Sequence, residues 1–193
     1  THWSTNPTPL YATHPFPTLR TMTDRTTDNT RQKNMKGNNT HPPNMSNTEY
    51  PDYIIPPVDK DLIKSELKNK NFLRKTNYGD KEIYITTAHL SPNIMQEIGR
   101  LRELSFVLDG GGTGNPVDID EFDTLPEPYC MKQIFVWSPE DEEIVGGYRF
   151  IHGSNAMQKA DGTIYTPSAT EFQFSENFIT NYLPYTVELG RAF

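Results

Sequence analysis

The sequence predicts an α+β domain: a central, mostly antiparallel sheet with flanking helices. Three observations carry that expectation. Residues 81–87 alternate with period two, Ile83 and Ile85 on one side against Tyr84 and Thr86 on the other, which is the pattern of a half-buried strand. Residues 91–106 begin Ser91-Pro92 and then place Ile94, Ile98, Leu101 and Ser105 at spacings of three and four, the stripe of an amphipathic helix. Residues 131–137 and 143–151 are two apolar runs separated by a short polar turn containing Pro139, and they read as an antiparallel pair.

The remaining elements follow in chain order. Residues 1–50 are dominated by threonine, asparagine and proline, with isolated aromatics at Trp3, Tyr11 and Phe16. Such a segment cannot bury enough apolar surface to offset the entropy of ordering it, and it reads as a disordered or non-native leader. His2, His14 and His41 stand alone there and form no ligand set, and Met45 is the favoured biological start. Pro56 and Pro57 make an extended lead-in. Residues 59–73 read as a short helix capped by Asp59 or Asp61, with a weak stripe of Leu62, Ile63 and Leu67. Residues 152–166 read as a surface loop, Ser175 as the cap of a brief helix ended by Pro184, and the last residues as a strand. In that strand Val187, Leu189 and Arg191 are expected to share one face, with Glu188 and Gly190 on the other. A strand so close to Phe193 looks like a domain cut off before completion.

Composition narrows the function. A formal charge of -7 and scattered basic residues leave no phosphate-binding stripe, so nucleic acid is not an expected partner. The single Cys130 has no cysteine or histidine at ligand spacing; it reads as a small apolar filler in a protein of a reducing compartment. No apolar run is long enough to cross a membrane, which leaves a cytoplasmic protein or one touching a membrane surface.

The most informative stretch is Asp118-Ile-Asp-Glu-Phe-Asp123, after the glycine-rich run from Gly110 to Gly114. The glycines are not a nucleotide loop, because no Lys-Ser or Lys-Thr follows them. Four acidic residues in six positions are either a solvated loop or a set of carboxylates aimed at a metal, an amine or arginines. Phe122 is the expected core anchor, Asp120 and Asp123 the functional pair, Asp118 and Glu121 solvated. Arg149 interrupts an apolar strand and needs an anionic partner or an outward path, because an unpaired buried guanidinium is costly. Arg102 falls one position past Leu101 and is expected to flank the buried face of its helix. Gly146 and Gly147 suggest a bulge or the close approach of another backbone.

The ordered set of Arg102 and Phe106, Asp120-Glu-Phe-Asp123, Ile144-Val-Gly-Gly-Tyr-Arg149 and Glu188-Leu-Gly-Arg191 resembles the hemolysin-like N-acyltransferases of the GCN5-related (GNAT) superfamily. The resemblance covers residues 81–193 and favours the branch that makes ornithine and glycine lipids, with the acyl-homoserine lactone synthases as relatives. It implies a three-layer α/β/α fold with the C-terminal half missing, residues 51–193 being the N-terminal portion of an acyltransferase domain. It implies transfer of a fatty acyl group, 3-hydroxylated in some members, from acyl carrier protein or coenzyme A to the amine of a small amino acid. No cofactor or metal is implied; the acyl thioester is a substrate. Glu188 would help deprotonate the amine, with Asp120 and Asp123 as further catalytic carboxylates. Arg102, Phe106, Arg149 and Arg191 would form the binding network. Donor contacts would come from a later strand, loop and helix, so the fragment is expected to be inactive alone. The other readings are a noncatalytic membrane-surface or metal-binding acidic module and a signal synthase.

Overall fold

The computed structural model describes residues 51–193. The leader expected over residues 1–50, with its histidines and Met45, lies outside the described residues.

Helix α1 spans Lys60–Glu66, with the Asp59 carboxylate accepting from Asp61 N at 2.7 Å. It is half the expected length because the chain beyond Asn71 joins the sheet: Ile85 N donates to Asn71 O at 2.8 Å, and strand β1, Phe72–Lys75, pairs with β2, Glu82–Thr86. Sheet hydrogen bonds outweigh a weak three-residue apolar stripe. Helix α2, Pro92–Leu108, starts where Ser91-Pro92 predicts, but the Ser91 side chain makes no cap bond. Its hydroxyl lies 2.7 Å from that of Thr86, and the Glu66 carboxylate accepts from Asn93 N and Ile94 N at 3.2 and 2.9 Å. A carboxylate from α1 thus satisfies the free amides of α2 and meets the positive end of its dipole.

Strand β3, Lys132–Ser138, and strand β4, Glu143–His152, form the expected antiparallel pair. After β4 come a 3-10 turn at Gly153–Asn155, the small hairpin β5 (Met157–Gln158) and β6 (Ile164–Tyr165), helices α4 (Pro167–Glu171) and α5 (Glu176–Asn181), and a 3-10 turn at Leu183–Tyr185. Strand β7, Val187–Gly190, returns beside β4, and the fully antiparallel sheet runs β1-β2-β3-β4-β7. One more helix, α3, is the single turn Glu121–Thr124. The expected surface loop over residues 152–166 therefore contains a hairpin, and Ser175 caps α5 by accepting from Phe178 N at 3.2 Å.

The core lies between α1, α2 and one face of the sheet: Ile63, Ile94, Met95 and Ile98 pack with Tyr84, Phe135, Trp137 and Ile144. A smaller cluster joins Phe122, Met131 and Ile151, and Cys130 is buried as a filler, its thiol pushed up to about 11 chiefly by burial.

Two expectations about architecture are corrected. The sheet is not interrupted half-way: the antiparallel array with its helices continues to β7, and Phe193 exchanges backbone hydrogen bonds with Gly147 (3.1 and 3.3 Å) while packing on the core. Nor is the arrangement three-layered among the described residues, because α1 and α2 lie on the same face. On the other, Tyr148, Val187 and Leu189 stay exposed. Gly146 and Gly147 do mark both features expected of them. The β3–β4 register shifts between Val136 and Trp137, and a Cβ would stand 2.5 Å from Ile134 O at Gly147 and 2.8 Å from Phe193 O at Gly146.

Candidate functional site

The site grows from a row of residues that cross the sheet on the α2 side: Thr86, Gln133, Arg149 and Gly190 are consecutive antiparallel partners. Period two along β3 puts Gln133 on the same face as Phe135 and Trp137, so a polar side chain is delivered into the core. Above it, Arg102 follows Ile94 and Ile98 at steps of four and is fully buried rather than flanking. Its guanidinium has to find partners inside the protein.

Those partners come from the acidic stretch. Asp118 N donates to Gly99 O at 2.9 Å, which ties the stretch to α2, and Asp120 and Asp123 close a reciprocal capping box around α3. Phe122, 7% exposed, packs its ring 4.9 Å from that of Tyr165 and fixes α3 on the sheet, as its expected anchoring role requires. Asp123 is then fully buried between two arginines: its Oδ2 accepts from Arg102 Nη1 and Arg149 Nη1, each at 3.1 Å. Its Oδ1 accepts from Gln133 Nε2 at 2.9 Å, and Gln133 in turn accepts from Arg102 Nη2. Arg149 Nη1 also donates to Asp120 Oδ1 at 2.6 Å. Arg191 completes the set, with Nε 3.1 Å from Asp118 Oδ2 and Nη2 3.6 Å from Asp120 Oδ2. The first of these is a close ion contact without hydrogen-bond alignment, since neither atom has a hydrogen-bond partner. Arg102, Arg149 and Arg191 thus stand against Asp118, Asp120 and Asp123, which balances the charge of an interior that could not hold either half alone.

The electrostatics separate the members. Burial raises the Asp120 carboxyl, but the Arg149 hydrogen bond and the Arg149 and Arg191 charges outweigh it and hold Asp120 below the usual carboxylate range. Asp118 is shifted the other way, because its burial exceeds the pull of Arg191 and Arg102. Burial lowers Arg102, whereas in Arg149 the bonds and charges of Asp120 and Asp123 prevail over burial and raise it.

The structure brings Arg102, Asp120, Asp123, Arg149 and Arg191 together. Phe106 joins them at the rim, its ring centroid 5.9 Å from the Arg191 guanidinium carbon. Two further expectations fail. Asp118 is buried, not solvated, and Arg191 does not share a face with Val187 and Leu189. At Arg191 the chain has left β7 with φ 52°, and this left-handed step swings the side chain toward the acidic stretch. Glu188 stands on the same face as Arg149, two residues before Gly190, but its carboxylate accepts from Ser168 N at 2.7 Å at the start of α4.

Gln133 went unnoticed in the sequence, though its place two residues before Phe135 in an apolar strand is a usable signal. Glu103 was also missed. Its fully buried carboxylate accepts from Thr113 N and Oγ1 at 2.9 and 2.6 Å, from Gly114 N at 2.8 Å and from the Tyr53 hydroxyl at 2.9 Å, so it ties down the glycine-rich loop beside α2. Among the described residues, no group of three or more His, Cys, Asp or Glu is placed to hold a metal, and no helix is long and apolar enough to cross a membrane.

Residues 101–193 match the family model described as an acetyltransferase (GNAT) domain. More narrowly, the chain is related to two proteins named glycine N(alpha)-acyltransferase. It is 51% identical over 140 residues to that of Phocaeicola vulgatus, covering 72% of this chain and 42% of the relative. It is 50% identical over 140 residues to that of Bacteroides thetaiotaomicron, covering 72% of this chain and 41% of the relative. The chain therefore spans about two fifths of the length of these relatives. No solved structure matches it.

Proposed function

We propose that this chain supplies the acceptor side of an N-acyltransferase that moves a long, 3-hydroxylated fatty acyl group from acyl carrier protein, or from coenzyme A, to the amine of a small amino acid. Glycine is the first choice of acceptor, and the product would be the N-acyl amino acid precursor of a glycine lipid. The observation that carries the reading is the identity of about one residue in two to proteins named for glycine acylation.

The chemistry asks for a neutral amine, since an ammonium has no lone pair with which to attack the thioester carbonyl. As the C–N bond forms and the C–S bond breaks, the carrier thiolate leaves and takes up a proton. The amine of a free amino acid is protonated at neutral pH, so a proton has to be removed before attack, and a carboxylate acting directly or through water is the group proposed to receive it. Asp123 is enclosed by Arg102, Arg149 and Gln133, so in this reading it positions the arginines instead of meeting substrate. Asp120, its side chain 23% exposed, is the member that can draw a substrate ammonium toward the cluster. Glu188, held by the α4 amide, is the proposed base. Arg191, at the rim with its side chain 36% exposed, is suited to the carboxylate of the amino acid.

The product would carry a hydrocarbon chain and partition to a membrane surface, so action in the cytoplasm beside the inner membrane fits the reading. The test is an acceptor panel: the full-length polypeptide, 3-hydroxypalmitoyl acyl carrier protein, and glycine, ornithine or homoserine lactone precursor in separate reactions. N-acylglycine as the dominant product supports the proposal. Preference for ornithine or for the signal precursor would move the chain to those branches.

A further inference from the structure

A cavity of about 570 Å³ opens at the β1 edge of the sheet, where β1 begins, β2 ends and β3 begins. The opposite edge is β7, so the cavity stands apart from Glu188 and Arg191. Its walls combine apolar Phe72, Leu73, Ile85 and Leu90 with two cations, Lys70 and Lys132. Phe72, Leu73 and Leu90 are 39, 51 and 53% exposed, and large apolar side chains gathered on one open rim mark a surface that receives something.

Charge is segregated to the same edge. Residues 68–75, Lys-Asn-Lys-Asn-Phe-Leu-Arg-Lys, place four cations and no acid in eight positions of a chain whose formal charge is -7. Elsewhere Lys64, Lys81, Arg102, Arg149 and Arg191 are held in ion pairs. Among the described residues, Lys68, Lys70, Arg74, Lys75 and Lys132 are in none.

Cations on an edge strand ordinarily guard it against pairing with another chain. That accounts for Arg74 and Lys75 but not for Lys132, which stands on the middle strand β3. Nor does it account for Thr87, a wall residue 2% exposed whose hydroxyl has no hydrogen-bond partner among the described residues. A hydroxyl buried so deeply ordinarily has one. With two lysines on the same cavity, it suits a phosphate oxygen. Glu127 is the single acid on the wall.

We propose that this edge docks on an anionic phospholipid bilayer, a headgroup phosphate entering the cavity against Lys70, Lys132 and Thr87 while Leu73 and Leu90 reach the acyl boundary. The exposed leucines favour a bilayer over an acidic protein or a soluble phosphate, because cations beside apolar side chains match a surface that is charged outside and hydrocarbon beneath. Docking of this kind does not depend on the acyl-transfer reading, since no residue of the charge cluster takes part.

The test is co-sedimentation of the full-length polypeptide with vesicles of phosphatidylcholine alone and of equal parts phosphatidylcholine and phosphatidylglycerol, at low and high salt. The anionic vesicles should bind at least tenfold more strongly, and salt should weaken that binding. Lys70→Gln with Lys132→Gln should reduce it at least tenfold, Leu73→Ser with Leu90→Ser should also reduce it, and Glu127→Gln should strengthen it. All five positions are exposed, so the urea midpoints of these variants should match the parent. Equal binding to the two vesicle types, or an anionic preference kept by K70Q/K132Q, overturns the proposal. Calorimetric binding of sn-glycerol 3-phosphate without vesicle binding would make the cavity a soluble-phosphate site and also overturn it, as would capture of acyl carrier protein by this edge without vesicle binding. Vesicle binding is read without turnover, so it can hold in a polypeptide that forms no amide and fail in one that does.

Discussion

Arg149 Nη1 lies 2.6 Å from Asp120 Oδ1, joining the middle strand pair of the sheet to the cap of α3 across 29 residues of sequence. The same nitrogen reaches Asp123, whose other arginine partner is Arg102 of α2. Helix, cap and sheet are therefore held by one shared set of charges, and loss of a single member strands the others in the interior.

Asp123→Asn tests that coupling. It keeps the shape of the side chain and removes the charge that faces two buried guanidinium groups. Breaking one partner out of a buried pair costs roughly 3–5 kcal/mol, and equilibrium urea unfolding should show a loss of that order. A change below about 1 kcal/mol, the size expected of an exposed pair, would show that Asp123 is not the hub.

Glu188→Gln separates catalysis from architecture. The glutamine keeps an oxygen that can accept from Ser168 N, so stability should fall by no more than about 1 kcal/mol. If the carboxylate serves as base, turnover in the full-length polypeptide should fall at least tenfold, the low side of general-base contributions of about 10² to 10⁴. Activity and urea midpoint falling in proportion would assign Glu188 to the support of α4.

Much of this arrangement could be read in advance, and the parts that could not share a cause. Element identity for β2, α2, β3 and β4 is local, written in periods of two and 3.6. The burial of Arg102 was also available, since it follows Ile94 and Ile98 at steps of four, although a charged residue beside an apolar stripe ordinarily flanks the buried face. Gln133 was accessible by the same parity. The facing of Arg191 was not, because it depends on a left-handed residue after β7 that is itself neither glycine nor asparagine. The Glu188 contact with Ser168 and the pairing of β1 with β2 depend on segments meeting in space, which period alone does not encode.

Gly147→Ala tests the close approach inferred at the bulge. A Cβ there meets Ile134 O at 2.5 Å and Phe135 Cα at 3.0 Å, both in a paired strand that cannot easily give way. The expected cost is roughly 1–3 kcal/mol in urea unfolding. Gly79→Ala, where nothing lies within 4 Å and only the φ of 77° resists substitution, should cost about 1–2 kcal/mol from backbone strain alone. A G147A protein as stable as the parent would contradict the observed β3–β4 packing.

Acid stability has a defined sign. Burial raises the Glu103 carboxyl, but the bonds from Thr113, Gly114 and Tyr53 outweigh it and leave it below its ordinary 4.5. A carboxyl depressed by folding contributes stability above its unfolded pKa and loses it as pH falls through the folded value. Asp120 acts in the same sense from 3.8, whereas the raised Asp118 favours the folded state most below 3.8 and loses that contribution as pH rises. Thermal midpoints measured from pH 7 to pH 3 should therefore drop below about pH 4.5. Glu103→Gln should lower the neutral midpoint and flatten that drop, and Asp118→Asn should steepen it. An E103Q profile parallel to the parent would contradict the assignment.

Acyl transfer to glycine can be measured directly. The measurement is mass-spectrometric detection of N-(3-hydroxypalmitoyl)glycine, with parallel counting of released carrier thiol, when the full-length polypeptide meets 3-hydroxypalmitoyl acyl carrier protein and glycine. One amide is expected for each thiol released; thiol release without amide, or neither product, would rule the transfer out.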